Sequence, residues 1–382
     1  MLRGPLASER IERTDPNTGV KVIQITSYPT PSQHLSYGWP SVTPDNERVI
    51  ITCQRGAGRR APWDVFRSDS DGFNLYQLIE RRAEAGNLSA VLSLDGRTVY
   101  AAWGGDKVVA AVDVETGRSE DLLSIEPYCP SGEDVHAGLS LAGNDEWLFV
   151  SMRTKLYARV RLVRLDLSSG KVKEFGEDMM HYGYNFARGR LMILRDIRKD
   201  GVVTLPDGRR TMGNLREAQQ TIWSTDIDGN DPVYGGTTHD YGHSTMLGRT
   251  GLIQGTGLPP DRCIIVQEPG GELRKIVQGP YFWHSGPSFD GEWIISDTSW
   301  PNEGLKLVHV PSRCYRTLCQ DRAEQGHAGA HAHPALSQDG RVAVFDSDMT
   351  GVRQVYIAHI TEEFRESIKE GVLDNPNDKW MQ

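Results

Sequence analysis

Three histidines lie within seven residues near the C-terminus, His327, His331 and His333 of the segment HAGAHAHP (327–334). A fourth, His284, opens a similar segment, HSGPSFDG (284–291), about 50 residues earlier. Imidazoles are the commonest metal ligands in proteins. Because side chains alternate along a strand, we expect His331 and His333 on one face of an extended segment. With His284 on a neighbouring strand, they predict a divalent-metal site.

The elements that must position these histidines are short strands in a weak repeat. An apolar segment, an S/T-x-D-G-type turn, a β-rich run and a D-x-x-[ST]-G turn recur seven times at a spacing of about 40 to 60 residues. Repeats of four short strands closed by tight turns are typical of a β-propeller. We therefore predict an all-β, seven-bladed propeller that forms one domain over residues 1–382. The blades are expected at 37–80, 86–125, 135–177, 180–234, 241–278, 283–320 and 331–360.

Both chain ends are expected to complete this ring. The last unit lacks a fourth strand, and the segment GVKVIQIT (19–26) is predicted to supply it, which leaves no long exposed sheet edge. The tail (361–382) should begin with a short surface helix, TEEFRESIKEGVL (361–373). An insertion at 199–220, in the fourth unit, is expected to form an excursion at the rim.

The first strand of every propeller blade lines the central channel, so residues at one repeat phase form a ring. Histidines stand at the start of five successive units, and one more precedes the first unit; these are His136, His181, His243, His284, the pair His331 and His333, and His34. We expect their side chains to converge at one end of the channel. A buried histidine can also merely satisfy a backbone carbonyl, an alternative that stays open for His136 and His181. His309 and His359 are expected to be structural residues of outer strands.

Composition narrows the function classes. The formal net charge is −9, which argues against a nucleic acid or an anionic membrane as partner, since either would need a basic face. Five scattered cysteines without a CxxC pair suggest a reducing compartment. No apolar signal-peptide core and no membrane-spanning stretch are recognisable, so a cytoplasmic protein is expected. The run RGAGRR (55–60) is a weak candidate for a phosphate cradle and is otherwise a surface loop.

Two segments resemble a known family. The segments HSGPSFDGEWIISDT (284–298) and HAHPALSQDGRVAVFDSD (331–348) are similar to those of the oligogalacturonate lyases, seven-bladed propeller enzymes that use manganese. The resemblance implies that His284, His331 and His333 bind Mn²⁺ or another divalent cation. The family's fourth ligand is a glutamine, and Ala328 occupies that position here. His327, next to it, or water can take this place.

The resemblance also implies roles for other side chains. His243, in YGHSTM (241–246), matches the family's proposed base. The position of the family's catalytic arginine is occupied by Thr221. The candidate substrate-binding residues are the histidines His34, His136 and His181 and the arginines Arg153, Arg195 and Arg216, with Arg198 and the 55–60 loop as further sources of a guanidinium.

The sequence therefore predicts a metal-dependent lyase that cleaves uronate-containing oligosaccharides by β-elimination. The metal would bind the C6 carboxylate of the anionic substrate, and a histidine would remove the C5 proton. Two alternatives stay open at this point. One is a non-catalytic propeller that binds partners or acts as a scaffold, and the other is a metal-dependent hydrolase or isomerase of a sugar acid.

Overall fold

The computed structural model describes residues 4–56, 61–79, 88–129, 135–154, 160–177, 179–181, 190–196, 202–204, 208, 210–212, 220–237, 240–257, 260–299, 301–323 and 331–371. Within these ranges the chain forms one five-stranded and six four-stranded antiparallel sheets, and one two-stranded hairpin. The seven larger sheets are the blades of a propeller, which confirms the predicted all-β architecture.

The strands of the N-terminal region and of blades 1 to 3 are β1 (Ile11–Thr14), β2 (Lys21–Gln24), β3 (Ser32–His34), β4 (Arg48–Gln54), β5 (Trp63–Asp69), β6 (Tyr76–Ile79), β7 (Leu88–Leu92), β8 (Thr98–Trp103), β9 (Val108–Asp113), β10 (Ser119–Ser124), β11 (Val135–Ala142), β12 (Trp147–Thr154), β13 (Val160–Asp166) and β14 (Val172–Glu177). A short 3₁₀ helix (Glu126–Tyr128) follows β10.

Blades 4 to 7 contain β15 (Met179–His181), β16 (Arg190–Asp196), β17 (Val202–Thr204), β18 (Arg210–Met212), β19 (Gln220–Asp226), β20 (Val233–Thr237), β21 (Ser244–Met246), β22 (Ile253–Gly257), β23 (Cys263–Gln267), β24 (Leu273–Gln278), β25 (Phe282–Pro287), β26 (Trp293–Thr298), β27 (Leu305–His309), β28 (Cys314–Cys319), β29 (Ala335–Leu336), β30 (Val342–Ser347) and β31 (Gln354–His359). The β17–β18 hairpin lies within the predicted insertion of the fourth unit.

The N-terminal strand closes the ring, as predicted. β2 pairs antiparallel with β31, with Val22 opposite Ala358 and Gln24 opposite Tyr356. β1 then pairs with the outer edge of β2 and adds a fifth strand, which the sequence did not predict. Blade 7 is thus built from both ends of the chain, and pairing across this seam holds the ring together.

The repeated turns between the first and second strands of a blade have a common hydrogen-bond pattern. Ser93, Ser288 and Ser337 each donate from Oγ to the aspartate two residues later, over 2.7, 2.6 and 2.7 Å. A glycine follows the aspartate, as at Gly340, whose φ is +71°. Glycine adopts this left-handed conformation without steric cost, so the S-x-D-G pattern specifies the turn.

The predicted C-terminal helix is also confirmed. Helix α1 (Glu362–Lys369) begins at Thr361, whose Oγ1 accepts a hydrogen bond from the main-chain N–H of Phe364 over 3.2 Å. Phe364 and Ile368 are buried in the core between blades 6 and 7. Among the described residues, no helix is both long enough and apolar enough to cross a membrane.

The innermost strands of blades 5, 6 and 7 are β21, β25 and β29. We call the end of the propeller at which these three strands begin the histidine end, because His243, His284 and His333 lie there. In blade 1 the corresponding strand is interrupted after His34 and resumes at a bridge between Val42 and Val49. The intervening residues 35–40, the channel loop, reach the inner strands of blades 5 and 6.

Candidate metal centre

Three imidazoles come together at the histidine end. His284, His331 and His333 each offer a ligand atom, and these atoms all lie within 4.8 Å of one another. The ring centroid of His284 lies 3.9 Å from that of His333 and 5.3 Å from that of His331. Blades 6 and 7 therefore contribute one and two histidines to a single cluster, as the sequence predicted.

His284 is oriented by a buried carboxylate. A β-bulge between Phe282 and Ser285 removes His284 from the regular ladder with β26. Instead, its main-chain N–H donates to Oδ1 of Asp297 over 2.6 Å, and its ring Nδ1 lies 2.9 Å from Oδ2 of the same residue. An ionised carboxylate only accepts hydrogen bonds, so Nδ1 carries the proton and Nε2 keeps a free lone pair.

The segment that contains His331 and His333 is not a strand, contrary to the prediction. Strand β29 begins only at Ala335, and His333 has a φ of +44° in the left-handed region. This conformation is strained for a non-glycine residue and often occurs at functional sites. The main-chain N–H of His333 donates to Oδ2 of Asp297 over 3.1 Å, and its Nδ1 lies 3.1 Å from the carbonyl oxygen of His331. These two contacts, not strand alternation, hold the ring in place.

The three side chains fit a divalent transition-metal ion. In His284 and His333 Nδ1 faces an acceptor, which leaves Nε2 as the ligand atom. Burial lowers the pKa of both imidazoles well below the usual value, and the neighbouring histidines lower it further. The rings are therefore neutral at pH 7, the form in which imidazole binds metal ions. Mn²⁺ and Zn²⁺ are both compatible with such donors.

His243 lies next to the cluster. Its ring centroid is 4.3 Å from that of His284 and 6.0 Å from that of Trp283. Burial lowers the pKa of His243 to about 4, although the carboxylate of Asp297 acts in the opposite direction. A neutral imidazole from blade 5 thus stands beside the three histidines of blades 6 and 7.

Two aromatic side chains that the sequence did not single out line the same site. Trp283 is partly exposed, and its ring lies 5.2 Å from that of His331. Tyr37, in the channel loop, lies 5.3 Å from the ring of His284 and is nearly parallel to His333 at 5.9 Å. The rings of Tyr37 and Trp283 are therefore direct neighbours of the clustered histidines.

His34 joins the cluster as a supporting residue. It is 3% exposed; its main-chain N–H donates to Oδ1 of Asp346 over 3.0 Å, and its Nδ1 lies 3.3 Å from Oγ of Ser41. Main-chain groups of Ala332 and His333 also hydrogen-bond its ring, while burial lowers the pKa of His34 to about 4. His34 thus connects blade 1 to the segment that carries two of the three clustered histidines.

Several predicted site residues are placed only through their backbone, and their side chains lie outside the described part of the structure. His136 is paired with Arg153 across β11 and β12. Arg195 is the register partner of Thr221 across β16 and β19. His181 ends β15. The remaining predicted positions lie outside the described residues altogether: His327, Ala328, Arg198, Arg216 and residues 57–60.

Four side chains have structural contacts, and two of them, His309 and His359, were expected to. Nδ1 of His309 lies 2.8 Å from Oγ of Ser312, and Nε2 of His359 lies 3.0 Å from the carbonyl oxygen of Ser70, as expected for outer-strand residues. Thr221 is buried, and its Oγ1 accepts a hydrogen bond from the indole N–H of Trp223 over 2.9 Å. Arg55 forms an ion pair with Glu9 at 2.8 Å, which makes it a structural part of its loop.

Asp297 is the main residue that sequence reasoning missed. It occupies the end of the second strand of blade 6, and Asp346 occupies the same position in blade 7. Asp297 accepts the main-chain N–H of His284, and Asp346 accepts that of His34. An acid at the end of an otherwise buried apolar strand, as in WIISD (293–297) and VAVFD (342–346), was the available signal.

Comparison with known proteins places the fold. No protein-family model and no curated protein sequence matches the chain. Among solved structures, an oligogalacturonate lyase in complex with manganese superposes with a TM-score of 0.73, at 16% identity, over 93% of this chain and 97% of that one. An oligogalacturonate lyase from Vibrio parahaemolyticus gives a TM-score of 0.72 with the same identity and coverage. The β-propeller domain of a protease from Pyrococcus furiosus is less similar, with a TM-score of 0.53 and 11% identity over 85% of this chain and 95% of that one. With seven blades and this degree of superposition over nearly its whole length, the chain has the propeller fold of the oligogalacturonate lyases.

Proposed function

We propose that this protein is a metal-dependent lyase that cleaves uronate-containing oligosaccharides by β-elimination, and that it acts in the cytoplasm. The observation that carries the proposal is the cluster of three imidazoles with a fourth, His243, directly beside it. The manganese complex of a lyase with the same fold supports it. All five cysteines are free thiols, in keeping with a reducing compartment.

The proposed reaction removes the C5 proton of a uronate and expels the oxygen at C4, so that a C4=C5 double bond forms. Charge develops on the C6 carboxylate as the proton leaves, and a divalent cation held by His284, His331 and His333 would act as a Lewis acid for this charge. His243 would accept the proton, because it is neutral and adjacent to the cluster. Trp283 and Tyr37 would exclude water from the reacting atoms, which strengthens the electrostatic interactions there.

The guanidinium for the substrate carboxylates is proposed to come from Arg195. The register places Arg195 opposite Thr221, the position that the resemblance assigns to an arginine. A guanidinium binds a carboxylate through two parallel hydrogen bonds, a geometry that lysine cannot reproduce. Arg153 and Arg216 are the other candidates, and His136 and His181 are proposed to contact the sugar. The fourth ligand is proposed to be His327 or water.

Metal binding tests the first part of the proposal. Purified protein is expected to bind one Mn²⁺ per chain, and His284→Ala or His331→Ala should abolish this binding. His359→Ala is the matched control in blade 7, because Nε2 of His359 lies 3.0 Å from the carbonyl oxygen of Ser70 and His359 is not one of the three clustered histidines. Equal metal content in all four proteins would contradict the assignment of the ligands.

Product absorbance tests the chemistry. With Mn²⁺ and uronate oligosaccharides, elimination gives an unsaturated uronate that absorbs in the ultraviolet, whereas hydrolysis gives new reducing ends without that absorbance. His243→Ala should keep the metal and lose about 10²- to 10⁴-fold in turnover, the usual contribution of a general base. Loss of the metal in this variant would instead make His243 a ligand. Bound metal without turnover on any uronate would favour a binding protein.

A further inference from the structure

A second feature at the histidine end is a groove of about 740 Å³ on the outer part of blade 7. Its walls include Arg13 of β1, Arg322 of the connection from blade 6 to blade 7, and the turn that joins β30 to β31, with Asp348 and Thr350. Its volume lies within the range of pockets that hold small organic ligands. Among the described residues, none of those predicted from the sequence to form the site lines it.

The groove opens at the same end of the propeller as the histidines. β29 runs away from the histidine end and β30 returns to it, so the β30–β31 turn lies at that end. Asp346, two residues before Asp348, is hydrogen-bonded through its main-chain N–H to the carbonyl oxygen of Ala332 over 2.9 Å. Ala332 separates the two clustered histidines of blade 7. The groove therefore lies outward of the proposed metal centre, at the same end of the propeller.

Two guanidinium groups in this groove lack a carboxylate partner within the described residues. Arg13 packs over the ring of Tyr356 at 5.3 Å and contacts the sulfur of Met349, while its Nη2 is buried without a hydrogen-bond acceptor. Arg322 is exposed. Both arginines line the same groove. Burial lowers the pKa of Arg13, and the charge of Arg322 acts in the same direction while that of Asp15 acts in the opposite one.

Within the described residues neither guanidinium forms an ion pair, in a chain with a net charge of −9. Buried cationic nitrogen is costly without an acceptor, and an anionic ligand would supply one. The carboxylate of Asp348 also lines the groove, so the three charged side chains together have a net charge of +1. This arrangement suits a ligand that brings one or two carboxylates and several hydroxyl groups, and it suits a strongly charged polyanion less well.

We propose that this groove is a binding subsite for the distal uronate units of the oligosaccharide, with Arg13 and Arg322 binding a carboxylate away from the metal centre. The inference rests on the proposed function for the identity of the ligand. It implies that the bound oligosaccharide extends from the histidine cluster outward over blade 7. It also explains how a negatively charged protein holds the uronate units beyond the one at the cluster.

The test is a calorimetric titration of chelator-treated protein with a monouronate, a diuronate, a triuronate and inorganic phosphate, without catalysis. In the wild-type protein the affinity should rise with oligomer length. Arg322→Gln should raise the Kd of the triuronate by about tenfold, which corresponds to about 1.4 kcal/mol, and leave the Kd of the monouronate unchanged. Arg13→Gln should do the same, and the double variant should bind the trimer no better than the monomer.

Arg274→Gln is the matched control, because Arg274 is an exposed arginine on the outer strand β24 of blade 5. It should leave every Kd within twofold. Because Arg322 is exposed, its variant keeps the test valid even if Arg13→Gln disturbs folding. A wild-type affinity that does not depend on oligomer length would overturn the inference, and so would phosphate that binds more tightly than the triuronate. If binding depends on oligomer length but no ultraviolet-absorbing product forms, the groove remains a binding subsite and the proposed lyase activity is rejected.

Discussion

Replacement of Asp297 by asparagine changes the residue that hydrogen-bonds His284 and His333, and it leaves the three proposed metal ligands unchanged. The carboxylate is 1% exposed and accepts the main-chain N–H of His284, its ring Nδ1–H, and the main-chain N–H of His333. In Asp297→Asn one oxygen becomes an NH₂ group, which cannot accept a hydrogen bond. If that group faces the ring of His284, Nδ1 must become the acceptor. The proton then moves to Nε2, and the ring can no longer bind a cation through that atom.

Loss of a residue that hydrogen-bonds a metal ligand lowers the metal affinity by about 10- to 100-fold, and we expect a loss of this size in Asp297→Asn. At a cation concentration 100 times the wild-type Kd, binding stabilises the folded protein by about 2.7 kcal/mol. The same concentration is only about ten times, or equal to, the Kd of the variant. The stabilisation by metal in Asp297→Asn is therefore expected to fall to between about 1.4 and 0.4 kcal/mol.

The assay is Mn²⁺ titration of chelator-treated protein by calorimetry, together with denaturant unfolding with and without the cation. Asp290→Asn is the control, because Asp290 lies in the S-x-D-G turn at the opposite end of blade 6 and accepts from Oγ of Ser288. It should shift the unfolding midpoint without changing the Kd for Mn²⁺. A folded Asp297→Asn protein whose Kd stays within twofold of wild type would refute the role given to this carboxylate.

Two further predictions concern packing and pH. In Gly286→Ala the new methyl carbon would lie 2.6 Å from the carbonyl oxygen of Pro334 and 2.8 Å from a main-chain oxygen of the channel loop, so we expect a loss of about 1–3 kcal/mol in unfolding free energy and weaker Mn²⁺ binding. The control is Gly138→Ala on the inner strand of blade 3, where the nearest neighbour lies at 3.8 Å and neither quantity should change. Equal effects of the two variants would argue against the contact. Burial raises the pKa of Asp145 to about 6, even though Oδ2 accepts the main-chain N–H of Leu94. Because the folded state then binds the proton more tightly than the unfolded state, this residue should make stability fall as pH rises from about 4 to about 6. In Asp145→Asn that decrease should disappear, and denaturation midpoints that keep the wild-type pH dependence would contradict the assignment.

The blade pattern could be predicted from the sequence because it depends on local chemistry that repeats. Each serine and aspartate of an S-x-D-G turn satisfies its own main chain, as at Ser288 and Ser337, so the signal is complete within a few residues. The convergence of His284 with His331 could be predicted because both stand at the start of their repeat units. In a propeller, residues at equivalent positions of successive repeats lie around the central channel. The groove beside Arg13 has no such signal, because its walls come from opposite ends of the chain.

The orientation of the side chains could not be predicted in this way. Strand alternation was the wrong reason for the common direction of His331 and His333, because the left-handed φ of His333 depends on its contact with Asp297 in the preceding blade. The position of Tyr37 depends on a loop within the inner strand of blade 1, whose path is fixed by packing against blade 6. Such features depend on contacts between distant segments, which local patterns do not record.

Closure of the ring by β2 has a consequence for how the protein is made. The strand that seals blade 7 is synthesised long before its partner β31, with the other six blades between them. A chain that has not yet reached β31 therefore cannot close the ring through this pairing.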